Sequence, residues 1–356
     1  MESDPMFNLV DEEAFASIIF TMFKIPLKKF PPIISEEPIH IGQNCWISTN
    51  SPLVLDDMWR NWLGGIISDR IEKGPGRIVL TAKSINTNET PESLMQRISN
   101  VFWGLTIVAG IPHFDTGDTI QGRYSSDELK GKTGIKIGFG IRRVYTNQLL
   151  ELLKKQSYTD LTKSDFDQTL IFSNRIGSIV KNISRERINR KTFYDKSITD
   201  FFTRILSGYE ALREGMTSYL PMERLHQFAR AIEALLPADV MGRSDYKNYL
   251  MKLIDPHPEN EKVLLQIYDL RSAQEHHLPF DAKVKKKFPN IQDFDKLAWT
   301  RTRQAESLAR EFFRRFLASQ NDYVHHFENE TTLKNFWTSG DAVTVWGSPF
   351  DLQRIT

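Results

Sequence analysis

The sequence predicts an α+β protein: a mixed α/β region over 1–150, then an all-α helical bundle over 160–320, with a tail over 321–356 that packs back on the body. Three patterns carry this. Ile135, Ile137, Phe139 and Ile141 alternate with Lys136, Gly138, Gly140 and Arg142, the period of a half-buried strand. Leu94, Ile98, Val101, Phe102, Leu105 and Val108 recur at helical spacing. Beyond Val144 helical spacing is almost continuous, for which a bundle is the economical architecture.

The elements follow in chain order. Arg77 to Ala82 reads as a strand. Thr90, Pro91 and Glu92 open the first clear helix and Gly110 stops it. Ser197-x-x-Asp200 is a candidate cap before Phe201, Phe202, Ile205, Leu206, Tyr209 and Leu212, which share one stripe. From Met222, the positions Leu225, Phe228, Ala229, Ile232, Leu235 and Leu236 repeat as one helical face until Pro237 prevents continuation. Tyr246, Tyr249, Leu250 and Leu253 suggest a shorter helix, Val263 to His277 another, and Phe294 to Leu317 a long last one.

Composition narrows the chemistry. The 356 residues fit two domains at roughly 150 each. A formal net charge of +1 gives no whole-molecule field for a polyanion, so a nucleic-acid site has to be local. The bundle side is mildly basic, with 27 Lys and Arg against 23 Asp and Glu over 160–326. The single cysteine, Cys45, makes neither an internal disulfide nor a thiolate metal site. With an acidic first segment and no apolar run long enough for a membrane span, the expected setting is cytoplasmic, away from membranes.

Two familiar sites fail on inspection. Gly131-Lys132-Thr133 resembles the end of a phosphate-binding loop, but that loop needs a glycine where Ser126 stands, and it should open a helix rather than precede a strand. The pairs His276/His277 and His325/His326 are adjacent residues that point to different helix faces, so neither pair chelates one ion. No metal and no cofactor are expected.

The segment Tyr268 to His277 carries more. Leu264, Ile267, Tyr268 and Arg271 fall on one stripe, so an arginine continues an apolar line. That placement costs desolvation unless a carboxylate, a backbone acceptor or a phosphate receives the guanidinium. A salt bridge within the helix or core meets the same need. Pro279 disfavours helix at Leu278, which puts His276 in the last turn, where the helix dipole stabilises an imidazolium. His276 is in phase with Asp269 and is expected on the polar side, while His277 is in phase with Leu270. Arg271 and His276 lie about 140° apart around a helix and would flank a groove that a second copy of the helix, or a neighbouring helix, completes.

Tyr268-Asp269-Leu270-Arg271-Ser272-Ala273-Gln274-Glu275-His276-His277, preceded by Arg224-Leu225-His226-Gln227-Phe228-Ala229-Arg230-Ala231-Ile232-Glu233-Ala234-Leu235, resembles the HEPN superfamily, especially its Apea-like branch. The likeness covers roughly 160 to 320. It implies a helical bundle that dimerises and, in many members, a metal-independent endoribonuclease with Arg followed after four to six residues by His. By that match Arg271 and His276 inherit the catalytic site, with His277 within the permitted spacing. Ser272 stands where active members often carry Asn, Asp or His. A toxin or phage-defence role, with RNA, a homodimer and a protein or phage-derived trigger as partners, is the family's implication. The alternative it leaves open is a non-catalytic module for dimerisation or for RNA or protein binding.

Basic residues near the motif complete the reading. Lys283, Lys285, Lys286 and Lys287 follow it directly, Arg185, Arg187, Arg190 and Lys191 form a second run, and Arg303, Arg310 and Arg314 share a face of the last helix. All could meet RNA phosphates, and all could equally be solvated surface.

Overall fold

The computed structural model describes residues 9–21, 37–53, 55, 57–72, 77–86, 88–109, 117–125, 135–138, 161–189, 201–218, 220–237, 242–275, 288, 293–318, 329–339 and 346–354. The chain divides into two compact units, Met1–Gly177 and Ser178–Thr356. It is α+β, as the sequence predicts, with the helical bundle in the second unit.

The first unit is built on a six-stranded antiparallel sheet. Its strands are β1 (Ala14–Thr21), β2 (Ile39–Gly42), β3 (Cys45–Ser48), β4 (Arg77–Lys83), β5 (Asp118–Arg123) and β6 (Lys136–Gly138), in the order β2-β3-β4-β1-β5-β6. Helices α1 (Asp57–Leu63) and α2 (Gly65–Glu72) cover one face, where Trp59, Leu63 and Ile71 meet Phe15, Ile19, Val79 and Ile120. Helix α3 (Pro91–Ala109) covers the other, packing Leu94, Ile98, Val101, Phe102 and Leu105 on Ala16, Ile18, Phe20 and Leu80. The sheet is thus sandwiched. Helices cover β1 on both faces, so its sequence AFASIIFT is apolar on both sides, broken within the strand only by Ser17, instead of alternating.

The helix α4 (Lys163–Asn189) opens the second half of the chain, but its first turns belong to the sheet. Phe166 joins the α3 face of the core, and a Cβ added at Gly104 would meet the Thr169 carbonyl oxygen at 2.7 Å, so α3 and α4 approach at backbone distance. The unit boundary therefore falls at Gly177 and not before 160, because a helix can serve one core with one end.

The second unit places α6 (Pro221–Glu233) against α5 (Phe201–Thr217), α8 (Pro258–Glu275) and α9 (Phe294–Ala318), with the short α7 (Arg243–Leu250) on α8. Pro221 starts α6, and its stripe of Leu225, Phe228, Ala229 and Ile232 is fully buried, matching the predicted face. At Gly208 of α5 an added Cβ would sit 2.4 Å from the Ala234 Cβ, which sets how close α5 lies to the end of α6. α8 starts five residues earlier than predicted, with Pro258 leading and Glu259 and Glu261 in the first turn, where the helix dipole favours acids.

The C-terminal segment packs on this bundle. α10 (Glu330–Thr338) is capped by Asn329, which accepts from the Thr332 N–H, and buries Trp337, whose indole N–H donates to the Leu235 carbonyl at 2.8 Å. Beyond it, Phe350 bridges to Ile254 and the Leu352 carbonyl accepts from Gln304. The candidate cap Ser197-x-x-Asp200 and the glycine-rich Gly131-Lys132-Thr133 lie outside the described residues, as does the predicted strand beyond Gly138.

Candidate functional site

Arg271 occupies the last turns of α8. This helix is central: Val263, Leu264, Ile267, Leu270 and Ala273 are buried around much of its circumference. Arg271 therefore leaves the helix among neighbours rather than into water, and its side chain is 19% exposed. Opposite it runs a second stripe of α6. His226, Arg230 and Glu233 follow one another at four and then three residues, beside the buried stripe that binds α6 to the core.

Two carboxylates hold the guanidinium. One terminal nitrogen of Arg271 donates to Glu233 Oε2 at 2.7 Å, across the α6–α8 contact. The other donates to Glu275 Oε2 at 2.5 Å, within α8. The desolvation that the sequence analysis foresaw for an arginine on an apolar line is thus met by acids, with Glu233 supplied by the upstream helix of the family-like segment.

Charge and burial act together here. Burial raises the Glu233 carboxyl above its ordinary range and Glu275 adds to the rise, while Arg271 opposes it. Burial also lowers the His226 imidazole, with Arg230 and Arg271 acting in the same direction and Glu275 against them. Tyr246, from α7 and 1% exposed, has its phenol raised by burial, with the Glu233 charge adding to it. Three buried polar atoms of this neighbourhood, Arg271 Nε, His226 Nδ1 and the Tyr246 hydroxyl, have no hydrogen-bond partner among the described residues.

Each predicted site residue has a definite standing. Ser272 is half-buried beside Arg271 on α8. His276 and His277 follow the last described residue of that helix and lie outside the described residues, as do Lys283, Lys285, Lys286, Lys287, Arg190 and Lys191. Arg185 and Arg187 fall on α4. Arg303 and Arg310 are half-buried on α9, and Arg314 pairs with Glu311 at 3.6 Å. The polar side expected at Asp269 is not a solvent face: Asp269 is buried and pairs with Arg243 at 3.1 Å, because α7 packs over it.

Glu233, Glu275 and His226 are members of the cluster that the motif alone does not point to. The signal for Glu233 was its place seven residues after His226, on a stripe adjoining the core face of α6. Among the described residues no three His, Cys, Asp or Glu side chains gather as a metal site, and no described helix is long and apolar enough to cross a membrane. No family model, curated protein or solved structure matches the chain.

Proposed function

We propose that the protein is a metal-independent endoribonuclease of the HEPN type, which cleaves RNA through its 2′-hydroxyl and works as a homodimer. One observation carries the reading. Arg271, the motif arginine, is partly accessible at the end of α8 with its guanidinium plane oriented by Glu233, and only two of its five N–H groups are spent on described partners.

In this mechanism Arg271 binds the scissile phosphate and stabilises charge that develops on its non-bridging oxygens. The 2′-oxygen attacks phosphorus as its proton leaves to a base, and the bond to the 5′-oxygen breaks as that oxygen takes a proton. The products are a 2′,3′-cyclic phosphate and a 5′-hydroxyl. His276, four residues past Ser272 on the motif, moves a proton in this exchange, with the second copy's His276 as its counterpart. The basic residues after the motif and on α9, Arg303 and Arg310 among them, hold the flanking phosphates.

The test is RNA cleavage in the presence of a chelator. His276→Ala and Arg271→Ala should each abolish it while leaving the circular dichroism and the dimer intact, and undiminished cleavage by His276→Ala sinks the proposal. A non-catalytic module is the second reading. It is favoured by the two carboxylates that already neutralise Arg271, and it predicts no cleavage by the unmodified protein.

A further inference from the structure

Arg271 has one carboxylate too many. Glu233 alone would neutralise it, and Glu233 comes from a different helix, so that pair ties α6 to α8. Glu275 adds a second negative charge from within α8, and its side chain is the more exposed of the two, 35% against 26%.

Elementary helix physics argues against Glu275 where it stands. It is the last described residue of α8, and a carboxylate at a helix C-terminus faces the negative end of the dipole. Its pair with Arg271 also runs in the weaker order, with the cation N-terminal to the acid. An acid here works against the helix dipole, and it pushes the neighbouring Glu233 carboxyl upward. Its one local gain is the pair with Arg271, so what it does there is done on that guanidinium.

We infer that Glu275 is a displaceable stand-in for an RNA phosphate on Arg271, so that the site is closed by its own carboxylate until substrate exchanges with it. This rests on the nuclease reading for the identity of the anion. The physics is an exchange of like charges. A phosphodiester cannot join a cluster with two acids on one arginine, but it can replace the exposed one. The tether makes that replacement easy: an exposed pair four residues apart is worth only about 0.3–0.5 kcal/mol. Glu233 stays in place and keeps the guanidinium oriented.

The experiment measures binding separately from cleavage. A fluorescein-labelled single-stranded RNA is titrated, by anisotropy, against the full chain, Glu275→Gln, Arg271→Met and the double variant, with Glu259→Gln as a control that removes one acid from the other end of α8. Glu275→Gln should tighten binding by about twofold. Glu259→Gln should not, and the gain should vanish in the Arg271→Met background. Thermal melting should show Glu275→Gln as stable as the parent, or more so. Unchanged or weaker binding by a folded Glu275→Gln overturns the inference, as does an equal gain in the Arg271→Met background or with Glu259→Gln. If no variant cleaves RNA while the Arg271-dependent gain is present, the nuclease reading fails and the stand-in survives.

Discussion

Two arginines on the bundle meet carboxylates in opposite ways. Arg224 of α6 donates to Glu306 Oε2 of α9 at 2.6 Å, and both side chains are buried, 4% and 9% exposed, one acid to one base. Its guanidinium also lies over the Phe228 ring. Arg271, in the same unit, is shared by two acids and is partly open. The first pair is closed and balanced, as a fastener needs to be. The second is unbalanced and reachable, as a binding site needs to be. Ion pairing is common to both, and it is stoichiometry and exposure that separate them.

Breaking the closed pair should have the largest effect on stability. Arg224→Met leaves Glu306 buried and unpaired, which costs about 3–5 kcal/mol, read by chemical denaturation. Adding Glu306→Leu should recover most of that loss, since an apolar pair of similar volume replaces the ions. A cost for Arg224→Met no greater than that for Arg271→Met would erase the distinction drawn between the two sites. Arg271→Met should cost less, on the order of 1 kcal/mol, because solvent reaches the remaining acids.

The smallest effect is in the pH dependence. His226 is lowered in the fold, so the unfolded chain binds its proton first as pH falls from 6.5. Stability from this group is present above 6.5 and is lost as pH falls through the lower folded value. Glu233 has the opposite sign. Its raised carboxyl contributes stability that is full below 4.5 and is lost as pH rises through the folded value. His226→Gln should therefore flatten the acid-side decline in melting temperature just below 6.5 and leave the profile above it unchanged. A decline as steep as the parent's would separate His226 from the Arg271 cluster.

Much of the bundle was legible because amphipathic helices announce their faces. The α6 stripe and the span of α9 were read correctly from spacing, since apolar residues at Leu225, Phe228 and Ile232 have one role in any helical packing. The central strand β1 was not, because burial on both faces removes the alternation that marks a strand. Within the site, the need of Arg271 for a partner was visible in its apolar line, but the identity of that partner was not. Glu233 is 38 residues away in sequence, and only the packing of α6 on α8 brings it to hydrogen-bonding distance. Asp269 misled for a related reason: its polarity suggested water, and α7 supplied Arg243 instead.

The first turns of α4 decide how the protein can be taken apart. Phe166 completes the core over α3, and Gly104 admits the Thr169 carbonyl, so the sheet unit keeps its inner surface only if its chain runs on to Gly177. A fragment stopped where the strands stop would display that surface to solvent and invite aggregation. Any attempt to express, graft or recombine the sheet unit has to carry half a helix with it.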